Sequence, residues 1–296
     1  RPKPDKADAR YLLHFLRQER IRRDGARKMT GSAGQRRVPE HFLAGLHVPL
    51  PPLPEQRRIA EVLDRAEALR AKRRAALAPL DTLTQSIFLD MFGDPATNPR
   101  GSKLKRLGEL CEVGSSRRVF VEDLVDAGVP FYRGTEVGKL AEGLDVAPSL
   151  FITEEHFEKL RAQTGAPSRG DLLLPSICPD GRIFVVRDDR PFYFKDARVL
   201  WIRVDHSKIE SVFLKEYLKH LFVTSYSKIA SGTTFAELKI VALKSLGIYA
   251  IPRSQQQRFA AIVESIEWQK VRYRTQQAEL DSLFASLQHR AFRGEL

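Results

Sequence analysis

Cysteine is nearly absent: Cys111 and Cys178 are the only two in 296 residues, which excludes a disulfide scaffold and a four-cysteine zinc site and points to a reducing cytosol. Both read as buried thiols. No run of about 18 apolar residues occurs, and no charged-apolar-small cleavage pattern opens the chain, so a soluble, cytoplasmic protein with no membrane partner is expected. The seven histidines form no cluster at metal-ligand spacing. Dinucleotide (Gly-x-Gly-x-x-Gly), P-loop and His-Glu-x-x-His motifs are missing, and residues 134–139 have the wrong spacing for a phosphate loop. Pro179-Asp180 and Glu237-Leu238-Lys239 carry the letters of a nuclease carboxylate-lysine site, but the two parts lie 57 residues apart. Asn98-Pro99-Arg100 lacks the second proline and the aromatic of an amino-methyltransferase site. These absences argue for a chain that binds rather than catalyses.

Positive charge is plentiful. Lys and Arg number 49 against 37 Asp and Glu, a formal net charge of +12, which suits a polyanionic partner. The excess is concentrated: residues 1–37 hold twelve basic and four acidic side chains. Such a run is either a solvated face or a phosphate-contacting surface. A hydrophobic share of 43% is enough for one large domain or two ordinary ones.

The chain repeats itself at an offset of 200 residues without a gap. Pro52, Gln56, Arg58, Ala60, Leu80, Asp81, Leu83, Ser86 and Phe92 are matched by Pro252, Gln256, Arg258, Ala260, Leu280, Asp281, Leu283, Ser286 and Phe292. Two helix-forming segments share leucines by chance, but rarely the preceding proline and the Gln-x-Arg start as well. The repeat reaches further back: Tyr11 to Leu16 resemble Phe213 to Leu218, and Gly31-Ser32-Ala33 resemble Gly232-Thr233-Thr234. Residues 1–50 therefore read as the tail of a domain whose full copy occupies about 100–251, and a first residue that is not methionine agrees with a fragment.

Each copy reads as a long helix fed by an extended segment. Prolines at 49, 51, 52 and 54 bar helix before the first, and an alternating run at 246–252 precedes the second, with Ser254 placed as an N-cap. A 3.5-residue period sets the seam of a coiled coil with a polar middle. Its positions include Ile59, Val62, Arg73, Leu80 and Leu83 in the first copy, and Phe259, Ile262, Gln269, Gln276, Leu280 and Leu283 in the second. The eight apolar residues among these are the expected helix-pairing set. Residues 55–91 would span roughly 55 Å, longer than a small domain needs for cover. Pro79 is expected to kink or split the first helix.

Between the helices the pattern shifts to short mixed elements. Strands are expected at 129–133, 171–174, 182–186 and 198–204, and helices at 154–161, behind a Thr153 cap, and at 211–229. They do not alternate as βαβ units, so the expected class is α+β, with mixed strands and helices lying between long coiled-coil helices. Turn residues at 93–102 mark the linker into this region. Loops combining glycine, hydroxyls and arginine follow the strands, the composition that base and phosphate contacts require. From these come the candidate DNA-binding residues Arg117, Arg118, Arg133, Thr135, Ser176, Arg182 and Thr233.

Several motifs in order carry a family resemblance: Pro52-Leu53-Pro54-Glu55-Gln56-Arg57-Arg58-Ile59-Ala60, then Met91-Phe92-Gly93-Asp94-Pro95 with Asn98-Pro99, then Gly170-Asp171-Leu172-Leu173, and Gly232-Thr233 before a strand and a second Gln-x-Arg helix. Together they resemble the specificity subunit of type I restriction-modification enzymes over essentially the whole chain. The resemblance implies two tandem half-units, each a target-recognition domain followed by a spacer helix. The helices would pack antiparallel, and each recognition domain would read half of a split DNA target. Here it implies the end of a first recognition domain at 1–50, a first spacer helix and linker at 51–97, a complete recognition domain at 98–251 and a second spacer helix at 252–296. Implied partners are double-stranded DNA, methyltransferase and restriction subunits docked on the helical core, and a second specificity chain or fragment. This chain would bind no cofactor itself, with S-adenosylmethionine, ATP and magnesium held by partner subunits. The competing readings are a self-contained nuclease or methyltransferase fragment, and a non-specific basic coiled-coil tether.

Overall fold

The computed structural model describes residues 2–31, 35–232 and 236–296. The chain is α+β and divides into two compact units, Arg1–Asp81 with Glu267–Leu296, and Thr82–Ile266. The first part supplies α1 (Ala9–Leu16), α2 (Glu19–Arg27), α3 (Glu40–Ala44) and the long α4 (Leu53–Phe92). Next come β1 (Leu104–Arg106), α5 (Leu107–Leu110), β2 (Cys111–Gly114), β3 (Val129–Tyr132), α6 (Gly134–Ala141), β4 (Phe151–Ile152) and α7 (Glu154–Thr164). The remainder is β5 (Leu172–Pro175), β6 (Phe184–Val185), β7 (Tyr193–Phe194), β8 (Val199–Val204), α8 (Ser211–Ile229), α9 (Ile240–Ser245), β9 (Gly247–Tyr249) and the long α10 (Arg253–Ala291).

In the first unit α4 and α10 pair antiparallel, since Arg58 reaches the Leu296 carbonyl, Arg70 reaches Asp281 at 2.6 Å, and the Arg73 guanidinium lies 4.7 Å from the Tyr273 ring centroid. Ile59, Ala60 and Leu63 bury against Tyr11, Ala291, Phe284, Leu287 and Phe292. Gln56 fixes where the helix starts. Its amide oxygen accepts from the Asp8 N–H at 2.9 Å, and its amide nitrogen donates to the Lys6 and Pro51 carbonyls at 3.0 and 2.7 Å. Asp8 in turn caps α1 by accepting from the Arg10 and Tyr11 amides.

The second unit repeats this joint around Gln256, which accepts from the Glu210 N–H at 2.9 Å and donates to the Ile251 carbonyl at 2.8 Å. Glu210 likewise caps α8, accepting from the Phe213 amide. Both long helices take their first acceptor from a proline carbonyl, Pro52 for Gln56 and Pro252 for Gln256. Ser254 therefore sits inside α10 and is not its N-cap: Pro252 holds that role, and the chain is already helical at Arg253. Nor does Pro79 split α4, which runs unbroken from Leu53 to Phe92. The missing N–H strands only the Ala75 carbonyl, on an exposed stretch where water can bond it.

The helical seam also differs from the expected phase. Positions 59, 66, 73, 80 and 87 face inward, but the positions between them shift on by one residue, to Leu63, Arg70, Leu77 and Thr84. Val62 and Ile262 are half-buried at the flank, whereas Leu83 and Leu283 stand 39% and 51% exposed. Leu80 and Leu280 remain half-buried, and Ile59 and Phe259 are fully buried. A 3.5-residue repeat leaves open whether the step of three or of four comes first. Leucines at 80 and 83 fit both phases, and contact with the partner helix decides.

Within the second unit a four-stranded antiparallel sheet runs β2-β8-β5-β6, beside a β4-β3-β7 sheet and a β1-β9 pair. Successive side chains alternate between faces. Leu172, Leu174, Leu200 and Ile202 meet Phe213, Leu214, Tyr217 and Leu218 of α8, while Leu173, Val199 and Trp201 meet Val137, Val186 and Phe194. Both faces are thus covered, which explains the uninterrupted apolar runs. The Gly170-Asp171 step before β5 is structural. Gly170 has φ +93°, and an added Cβ would come within 2.3 Å of the His206 ring. Buried Asp171 accepts from the Trp201 indole at 2.9 Å, the Ser168 amide at 3.0 Å and the Val204 amide at 3.2 Å.

Candidate nucleic-acid interface

Strand pairing brings four separate loops to one edge of the second unit's sheet. Gly114 pairs with Trp201 and Pro175 with Val199, so the end of β2, the end of β5 and the start of β8 coincide. The end of β3 joins them because Lys195 N–H donates to the Tyr132 carbonyl at 2.9 Å. Glu237 and Leu238 close the rim: the Leu238 amide donates to the Ser176 carbonyl at 2.8 Å, and Arg198 pairs with Glu237 at 3.1 Å. The sequence-derived candidates Arg117, Arg118, Arg133, Thr135, Ser176 and Arg182 lie along this rim. Thr233 falls outside the described residues.

The candidates are not equivalent. Ser176 is 4% exposed, and its backbone bonds to Arg198 and Leu238 brace neighbouring loops. It is a tie between loops rather than a contact. Arg133 is exposed but held, since Glu136, one turn into α6, accepts from its backbone amide at 3.0 Å and its guanidinium at 2.8 Å. The Arg133 hydrogen bond draws the Glu136 carboxyl down to about 2. Thr135 also turns its hydroxyl onto Glu136 at 3.1 Å. Arg182 pairs with Asp180 at 2.7 Å, and Arg118 with Asp196 at 3.3 Å. Among the described residues Arg117 forms no ion pair, and its backbone amide is pinned by the Tyr193 hydroxyl at 3.0 Å.

Two parts of the rim escaped the sequence reading. The turn between β7 and β8 carries Lys195 and Arg198 around Ala197, whose φ is +58°. It is braced by Ser115, whose hydroxyl donates to the Val199 carbonyl at 2.8 Å and accepts from the Ala197 amide at 3.2 Å. Lys-Asp-Ala-Arg holds no glycine, so nothing local marks the left-handed turn. The other is the exposed pair Phe120 and Val121 just past the two arginines, which no charge pattern flags.

The nuclease-like letters take no catalytic arrangement. Asp180 is engaged by Arg182, and Glu237 by Arg198 and Lys239. Among the described residues no three His, Cys, Asp or Glu side chains gather as a metal-ligand group. Burial pushes the Cys178 thiol up to about 12 and the Cys111 thiol to about 11, so neither supplies a thiolate nucleophile. What the rim offers is cationic and donor-rich, a surface for anions and base edges. In the first unit the basic excess appears on α2, where Ile21 and Gly25 are buried and Arg20, Arg22, Arg23 and Arg27 are exposed.

Residues 1–78 match the family model described as the type I restriction modification DNA specificity domain. A type I restriction enzyme specificity subunit of Haemophilus influenzae is 26% identical over 271 residues, covering 89% of this chain and 65% of that protein. The chain thus spans under two thirds of that relative's length. Among solved structures, the HsdS subunit from Thermoanaerobacter tengcongensis matches 100% of this chain and 73% of its own, at 23% identity and a TM-score of 0.53. The type I restriction-modification S subunit from M. genitalium matches 98% and 74%, at 15% identity and a TM-score of 0.58. At these identities the structural likeness speaks for the fold.

Proposed function

We propose that this chain, a relative of the specificity subunits of type I restriction-modification enzymes, reads one part of a split DNA target and presents it to catalytic partner chains. The observation that carries this reading is the convergence of arginine-bearing loops on one sheet edge. Loops ending β2, β3 and β5 lie together there with the turn before β8. Arg117 and Lys195 are placed for phosphate, while Arg133 and Arg182, oriented by their carboxylates, are placed for base edges. Thr135 belongs to the same proposed face, Ser176 supports it from beneath, and Thr233 is kept as a DNA-contact candidate on its sequence alone.

The division of labour follows. Residues 98–251 are the recognition domain, 1–50 the end of another, and the helices at 51–97 and 252–296 the spacers. The paired spacers carry the methyltransferase and restriction subunits. S-adenosylmethionine, ATP and magnesium stay with those partners, which act in the cytoplasm, and this chain is not itself an enzyme. A second specificity chain or fragment would complete the other half of the target. Footprinting the chain on duplexes recovered from a randomised library tests the proposal. A protected half-site of defined sequence is expected, whereas uniform weak protection would leave only a basic tether. Turnover of DNA by the lone chain with magnesium and S-adenosylmethionine would replace the reading with an enzyme.

A further inference from the structure

Single exposed apolar side chains are ordinary on a protein surface, but two adjacent ones on a fastened loop, rimmed by the arginines of a cationic edge, form a small apolar patch of the kind that marks a contact site. Phe120 is 53% and Val121 80% exposed. The loop carrying them is fastened on both sides. Ser116 donates to the Phe194 carbonyl at 2.7 Å, Val119 is buried with Val129, Phe131, Ile152 and Tyr193, and Val125 bridges to Phe151. At the tip the Phe120 amide donates to Asp123 at 2.9 Å, and a short 3-10 turn follows. The Arg118 guanidinium lies 5.9 Å from the Phe120 ring centroid while pairing with Asp196 of the rim, so the tip is continuous with the candidate interface. Asp123 is turned onto its own loop by that bond, while Glu122 is exposed.

We propose that Phe120 and Val121 form an apolar base-reading tip that packs against the C5-methyl group of a thymine in the major groove of the bound duplex. This rests on the DNA-reading function proposed above and adds a specificity element that charge alone does not supply. Thymine is the base whose major-groove edge carries a methyl group, and apolar side chains are what recognise it. The flanking arginines, Arg117 without an acidic partner among the described residues, fit the phosphates on either side. The fastened backbone means the tip is already ordered before DNA arrives, so little entropy is lost on contact.

The test uses the full chain and duplexes that it selects from a randomised library. Each thymine of the selected site is replaced in turn by deoxyuridine, which removes only the methyl group. One such replacement should weaken binding by wild type about fourfold, the worth of one buried methyl-sized group. The same replacement should have no effect on Phe120→Ala or Val121→Ala, while Arg133→Ala keeps the full penalty. Both apolar positions are exposed, so the variants should melt as wild type does. Variants that bind like wild type, or that keep every deoxyuridine penalty, overturn the proposal while leaving DNA reading intact. Failure of the chain to select any sequence overturns both.

Discussion

Replacing Gln256 with alanine removes the joint that ties the start of α10 to α8, and the structure allows the cost to be worked out. Gln256 is 3% exposed and makes one bond to the Glu210 amide and one to the Ile251 carbonyl. Alanine strands both groups. An unmet buried donor or acceptor costs about 1–3 kcal/mol, and because both stranded groups belong to half-buried residues the lower half of that range applies to each. The expected loss is about 2–4 kcal/mol. In a unit of this size about 1 kcal/mol moves the melting temperature by roughly 2–4 °C, so a fall of about 4–16 °C is expected by scanning calorimetry. Gln256→Glu should do no better than alanine, since a carboxylate keeps the acceptor for Glu210 but cannot donate to Ile251 and adds a buried charge. Gln56→Ala makes the matching test in the other unit, where three bonds are lost. A Gln256→Ala protein within about 0.5 kcal/mol of wild type, the range of a neutral surface change, would refute the view that this glutamine holds the helix entry.

The corrected seam makes Leu83→Lys and Leu283→Lys nearly neutral, within about 0.5 kcal/mol by urea denaturation. Phe284→Asp should instead cost about 3 kcal/mol or more, because that ring packs beside His14 and under Arg70. Arg117→Ala should lower the salt dependence of DNA binding by about one unit for all sequences, whereas Arg133→Ala should relax preference at one base pair at a cost of about 1–3 kcal/mol; binding to cognate and mismatched duplexes across a salt series separates them. Glu136 is drawn down to about 2 by Arg133, so its contribution to stability is complete above the usual carboxylate range and is lost as pH falls from that range toward about 2. Acid unfolding of Glu136→Gln should be less steep there than that of wild type.

The parts legible in the sequence are those set by local chemistry or by self-comparison. Thr153 caps α7 because a hydroxyl three residues before an amide can do so in isolation, with His156 N–H donating to it at 3.1 Å. The matched Gln56 and Gln256 were visible as identities, but not their bonds to Asp8 and Glu210, which join residues 48 and 46 positions apart. Ser254 misled because a serine near a helix start satisfies the same local rule that Pro252 fulfils with its carbonyl alone. Ser176 misled for the opposite reason. Its loop has the right composition for DNA contact, yet strand pairing and Leu238 cover it, and burial is a property of the assembled sheet.

The rim shows why residue type alone underdetermines a reading surface. Arg118, Arg133, Arg182 and Arg198 each enter it already paired with a carboxylate of the same domain. Exposed pairs of this kind are worth only about 0–1 kcal/mol, so a phosphate or guanine edge can displace the carboxylate at little cost, while a badly placed one gains little from doing so. The carboxylates thereby hold long, flexible arginines in defined directions and subtract a nearly constant amount from every DNA sequence, good or bad. Sequences that satisfy the arginine forks recover that amount through paired bonds, and those that do not are left with the cost. A rim of unpaired arginines would bind DNA more tightly and discriminate less. Under the proposed DNA-reading function, acidic residues among basic loops are therefore part of the recognition chemistry, and a net positive charge by itself would have understated what this surface can distinguish.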